Sequence, residues 1–93
     1  MLQTITFQQF YKLTSDEQLD YLISYFDNLT FKRKNLLIYF IGFASNFLSR
    51  NGVMTSLDST YWAVYRFDMS LSELKEKAVE FYGYLFDLKN KIA

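Results

Sequence analysis

The chain reads as all-α, and three observations carry that reading. Proline is absent and glycine occurs only three times in 93 residues, so few breakers interrupt it. Apolar residues recur at steps of three and four through its first and last thirds. Residues 36–48 read Leu-Leu-Ile-Tyr-Phe-Ile-Gly-Phe-Ala-Ser-Asn-Phe-Leu, apolar on every side of a helix. Such a helix must be covered all round.

Thr6 caps a short helix over residues 7–13, with Phe7, Phe10 and Tyr11 on one side. Ser15-Asp16-Glu17-Gln18 forms a capping box: the Ser15 hydroxyl takes the Gln18 amide, and the Gln18 side chain reaches back. Asp16 and Glu17 suit the positive end of the helix dipole. Leu19, Leu22, Ile23, Phe26 and Leu29 follow at helical spacing and predict a helix over 16–28. Residues 28–30 make a turn, and Thr30 caps a helix over 31–50 that contains the apolar run. Arg50 suits its negative end, and Asn51-Gly52 tolerates the positive φ that stops it.

Residues 53–69 admit two readings. Tyr61, Ala63, Tyr65 and Phe67 alternate with Trp62, Val64 and Arg66, which suits a strand. Leu57, Tyr61, Val64 and Tyr65 also fall at helical spacing, with Asp58, Ser59 and Thr60 as an acidic, cap-rich start. A strand needs a partner, and residues 3–7 are the only candidate, so a helix over 57–67 is preferred. Ser70-Leu71-Ser72-Glu73 is a further capping box. It opens a helix over 71–91, whose seam of Leu71, Leu74, Ala78, Phe81, Leu85, Leu88 and Ile92 runs unbroken for three heptads. Lys89 and Lys91 suit its last turn.

The expected architecture is a compact four- to five-helix bundle, one domain over 1–93, built around the central helix 31–50. Each large apolar side chain taken out of water contributes ~1.5–3 kcal/mol, so the central helix must not be left bare. Three short helices are little cover for it, and Val79, Tyr82 and Phe86 lie off the last helix's seam. A two-fold homodimer is therefore expected.

Composition excludes much chemistry. Cysteine and histidine are both absent, which removes disulfides, ordinary zinc, haem and iron–sulfur ligation, and Ser-His-Asp or Cys-His nucleophiles. Neither a cofactor nor a metal is expected, nor is catalysis. Ten basic residues balance ten acidic ones, so no net field steers the chain to nucleic acid or anionic lipid. The first residues lack a basic region and an apolar run, so no signal peptide is read and the cytoplasm is the expected location. Residues 36–48 would span ~20 Å as a helix, short of the ~30 Å hydrocarbon core, so membrane association is disfavoured.

Aromatic residues make up 20% of the chain, with ten Phe and eight Tyr. They fill a bulky core or anchor a partner. Tyr61, Trp62, Tyr65 and Arg66 have the composition of an interface hot spot; the alternative is packing against the central helix. Lys32, Arg33 and Lys34 place three cations in the first turn of the predicted helix 31–50, against its dipole. They form a patch for an acidic partner, or a solvated turn that keeps an apolar helix in solution. Glu73, Glu76, Glu80 and Asp87 read as the wet face of the last helix.

The expected function is a small non-catalytic protein-binding module that occupies the surface of a larger protein. A composition rich in Phe, Tyr, Ile, Lys and Asn suits AT-rich codons, and an inhibitor or regulator carried by a phage or mobile element is its most concrete form. A dimeric helix-turn-helix DNA binder is the alternative. It is disfavoured because helix 57–67 offers only Arg66 as a strong contact.

Overall fold

The computed structural model describes residues 4–92, with the side chain of Ile92 outside the description. The elements are α1 (Phe7–Tyr11), α2 (Ser15–Asp27), α3 (Lys34–Arg50), α4 (Ser56–Tyr65) and α5 (Leu71–Ile92). A 3-10 turn, Arg66–Asp68, follows α4 directly. No strand occurs among the described residues, and the helical reading of 53–69 holds. α3 lies against α2, α4 and α5.

The helix starts differ from expectation at three places. α2 is capped by Thr14, not Ser15: the Glu17 amide donates to Thr14 Oγ1 at 3.2 Å, and Glu17 Oε1 accepts from the Thr14 amide at 2.9 Å. Gln18, the expected box partner, is called elsewhere. Its Nε2 donates to the carbonyls of Phe10 at 2.9 Å and Leu13 at 3.2 Å, and its Oε1 accepts from Arg50 Nη2 at 2.8 Å. These bonds tie the end of α1 to α2 and α3, and α1 stops at Tyr11, short of residue 13. α3 begins at Lys34, not at residue 31, and its N-cap Arg33 makes no side-chain capping bond. Phe31 and Lys32 lie in a turn, so only Lys34 of the three cations stands inside the helix. That arrangement relieves most of the conflict between those charges and the dipole. α4 is capped by Thr55 and begins at Ser56 rather than residue 57, with Asp58, Ser59 and Thr60 in its opening turns. Thr6 caps α1 as expected and completes a capping box with Gln9, and the expected Ser70 box forms.

The apolar rod is covered by its own chain. No residue from 36 to 48 is exposed; Leu37, Phe40, Ile41, Phe43, Ala44, Phe47 and Leu48 are buried, and Leu36, Ile38 and Tyr39 are half-buried. The seam of α5 closes one side, with Leu74, Ala78, Phe81 and Leu85 buried. α2 contributes Leu19, Leu22, Ile23 and Tyr25, and α1 adds the fully buried Phe10. Phe7 stacks on Phe43 at 4.2 Å between centroids. The chain before α1 is held by Tyr39, whose hydroxyl accepts from the Ile5 amide at 2.7 Å and donates to the Ile5 carbonyl. The incomplete cover from which a dimer was expected is therefore not found.

Candidate protein-interaction surface

α4 is built inside out. The residue it buries is Ser59, with Ala63 half-buried beside it on the inward side. Small side chains there let α4 lie close to α3. The large apolar residues take the other side: Leu57 is 79% exposed, Tyr61 51%, Val64 65% and Phe67 61%. They recur at steps of four, three and three and so form one row along α4 and the turn that follows. A shallow concavity of about 530 Å³ runs along this row, lined by Leu57, Tyr61, Val64 and Tyr65 with Asp58, Thr60 and Asp68.

The three rings of the set read from the sequence form one cluster, with Trp62 edge-on to Tyr61 at 4.8 Å and to Tyr65 at 6.1 Å. Tyr65, half-buried against the core, stacks at 5.0 Å on the exposed Tyr61. Trp62 turns toward α5, edge-on to Phe81 at 6.1 Å, and the Lys77 ammonium sits 4.4 Å from its ring centroid. Arg66 folds back over α3, where a Cβ on Gly42 would lie 2.8 Å from its Cζ. Its Nη1 donates to the Ala63 carbonyl, and its guanidinium covers the Phe67 ring at 4.5 Å. Its Nε is buried without a hydrogen-bond partner, and burial lowers its pKa. The carbonyls at the C-terminal end of α4 supply the negative potential that holds this cation.

Lys32, Arg33 and Lys34 are all exposed. Among the described residues no hydrogen bond, ion pair or ring contact joins them to the aromatic set of α4. The carboxylates of α5 are spread over separate tasks: Glu73 caps the helix, while Glu80 meets Lys77 at 2.6 Å and accepts from Tyr84 at 3.2 Å. That carboxylate also raises the Tyr84 pKa. No group of three or more Asp or Glu among the described residues is placed to hold a metal ion. No described helix is long and apolar enough to cross a membrane.

Leu57, Val64 and Phe67 were not singled out as contact residues by the sequence reading. Their signal was present in reverse, in the small residues Ser59 and Ala63 on the opposite side of the same helix. A second exposed apolar face lies on α5, where Val79 and Phe86 flank Gly83, around which a Cβ would meet nothing within 4 Å. Fold and surface together define a small helical chain with exposed apolar rows on α4 and α5 and further exposed apolar side chains at Phe7, Tyr11, Phe31 and Val53. Comparison with protein-family models, with curated proteins and with solved structures finds no match.

Proposed function

We propose that the protein is a non-catalytic binding module that seats the outer row of α4 on a larger protein and regulates or inhibits it by occupying its surface. The observation that carries this reading is the inversion of α4. α4 buries Ser59 and half-buries Trp62, Ala63 and Tyr65, while Leu57, Tyr61, Val64 and, in the following turn, Phe67 stay exposed in one row. Contiguous exposed apolar residues mark interaction sites. Tyrosine and phenylalanine carry large contact area with few rotatable bonds.

The test is a photo-cross-linking amino acid placed at position 64, and separately at the exposed Gln8 on α1, in cells of the source organism. A protein adduct that forms from position 64 and not from position 8 supports the reading. Equal adducts from both positions, or none from 64, would sink it. The dimer expected from the sequence is assigned to α5, where Val79, Gly83 and Phe86 leave room for a second helix. Sedimentation of the wild type and of Phe86→Glu tests it: a wild-type monomer at tens of micromolar, or a dimer indifferent to the substitution, rejects that assignment.

A further inference from the structure

We infer that the outer row of α4 takes a basic amphipathic helix, one apolar stripe with lysine or arginine on its flanks. This rests on the reading of that row as the binding face. Leu57, Tyr61, Val64 and Phe67 span eleven residues, about 15 Å along α4 and the turn after it, which matches the i, i+3/i+4, i+7 anchors of a helix laid in a groove.

Charge selects the occupant. The concavity is lined by two carboxylates, Asp58 near one end and Asp68 at the other, and by no cation. Neither carboxylate joins an ion pair; the pairs among the described residues are Lys77–Glu80 and Lys89–Asp20. Arg66, the cation nearest in sequence, is turned onto Gly42 and the Ala63 carbonyl. The groove therefore presents two negative charges without an ion-pair partner, about 15 Å apart, beside an apolar row. A second copy fits poorly. Two-fold pairing of α4 with itself sets carboxylate near carboxylate at both ends, Asp58 near the other protomer's Asp68 if antiparallel and each near its own copy if parallel. Anionic lipid is repelled on the same ground. A helix with cations about ten residues apart meets both carboxylates, and the stacked Tyr61–Tyr65 pair offers ring faces to an arginine or lysine.

Two synthetic helical peptides test this against the full chain by fluorescence anisotropy. They share one leucine and phenylalanine stripe and differ only in carrying lysine or glutamate at two flanking positions ten residues apart. The lysine peptide is expected to bind at least about tenfold more tightly, since two rim attractions replace two repulsions. The ratio is expected to shrink as salt rises. Asp58→Lys with Asp68→Lys is expected to reverse the preference, and Asp68→Lys alone, outside α4 proper, to reduce it. Equal affinities for the two peptides overturn the inference and leave the α4 face standing. Binding of either peptide that survives Val64→Glu places it elsewhere and overturns the inference. No binding of either overturns it as well, and the cross-link at position 64 then judges the face independently. Self-association abolished by Val64→Glu would make a second copy the occupant and overturn it too.

Discussion

Gln18 is the polar joint of the fold, and replacing it with methionine tests that role. The side chain is 4% exposed and makes three hydrogen bonds, to the carbonyls of Phe10 and Leu13 and from Arg50. Methionine keeps the unbranched chain and removes every strong donor and acceptor. Each neutral bond lost contributes ~0.5–1.5 kcal/mol, and a buried carbonyl left without a donor costs ~1–3 kcal/mol. The Phe10 carbonyl still receives the Leu13 amide at 3.1 Å, and Arg50 is exposed and turns to water. The Leu13 carbonyl loses the donor that Gln18 provides. The expected loss is therefore roughly 2–4 kcal/mol, a large part of the ~5–15 kcal/mol that holds a domain together. At ~4–8 °C per kcal/mol, Tm falls by roughly 10–25 °C. Gln18→Glu separates the bonds. It keeps an acceptor for Arg50 but turns a carboxylate toward two carbonyl oxygens, so near neutral pH it is destabilised as well. As pH falls, its carboxyl gains a proton to donate and stability returns in part. Urea unfolding followed by far-UV circular dichroism reads both variants. A Gln18→Met protein within about 0.5 kcal/mol of wild type, the range of an ordinary surface change, would refute the reasoning. So would a Gln18→Glu protein as stable as wild type at neutral pH.

Thr14→Ala is expected to cost about 1 kcal/mol in the same urea assay and Ser15→Ala less than about 0.5 kcal/mol; the opposite order would return the cap to Ser15. Gly42→Ala gains up to ~1 kcal/mol of helix propensity but drives a Cβ against Arg66. The full gain is therefore expected only in an Arg66→Ala background, and a double-mutant cycle that proves additive within about 0.3–0.5 kcal/mol denies the contact. Tyr21 and Tyr25 have pKa values raised by burial and then by the neighbouring Tyr39. A phenol held protonated in the folded state stabilises it fully below the unfolded pKa of about 10, and that stability is lost as pH climbs beyond. The urea midpoint is thus expected to fall above pH ~10, and less steeply in Tyr25→Phe; a midpoint that does not move over that interval contradicts the burial of these hydroxyls.

Much of the fold was readable because local and tertiary preferences agree. α5 shows this best: the Ser70 box, the seam from Leu71 to Leu88 and the terminal lysines all specify one helix. Disagreement begins where a side chain serves distant groups. Thr14 and Ser15 each begin an acceptable capping box, and the choice falls to Thr14 because Gln18 is drawn into bonds with Phe10, Leu13 and Arg50. Local spacing carries no trace of that demand. The start of α3 moved because three consecutive cations resist a helix N-terminus, a conflict visible in the sequence whose resolution, delaying the helix to Lys34, was not. The surface was the least readable part. Periodicity finds the large residues of α4 but not which side faces the core, and a helix that buries its small side reverses the usual inference. Exposure of the central rod was the opposite error: the short helices wrap it more completely than their lengths suggest, since aromatic side chains extend their reach.

The inversion of α4 also has an evolutionary consequence. A helix that grips its scaffold through Ser59, Trp62, Ala63 and Tyr65 leaves most of its greasy outer letters free of duty to the interior. Leu57 and Val64 are therefore open to exchange without loss of the architecture beneath them, whereas Phe67 also covers Arg66. A lineage pursued by a changing target can rewrite that row one residue at a time, keeping the same frame while its specificity drifts.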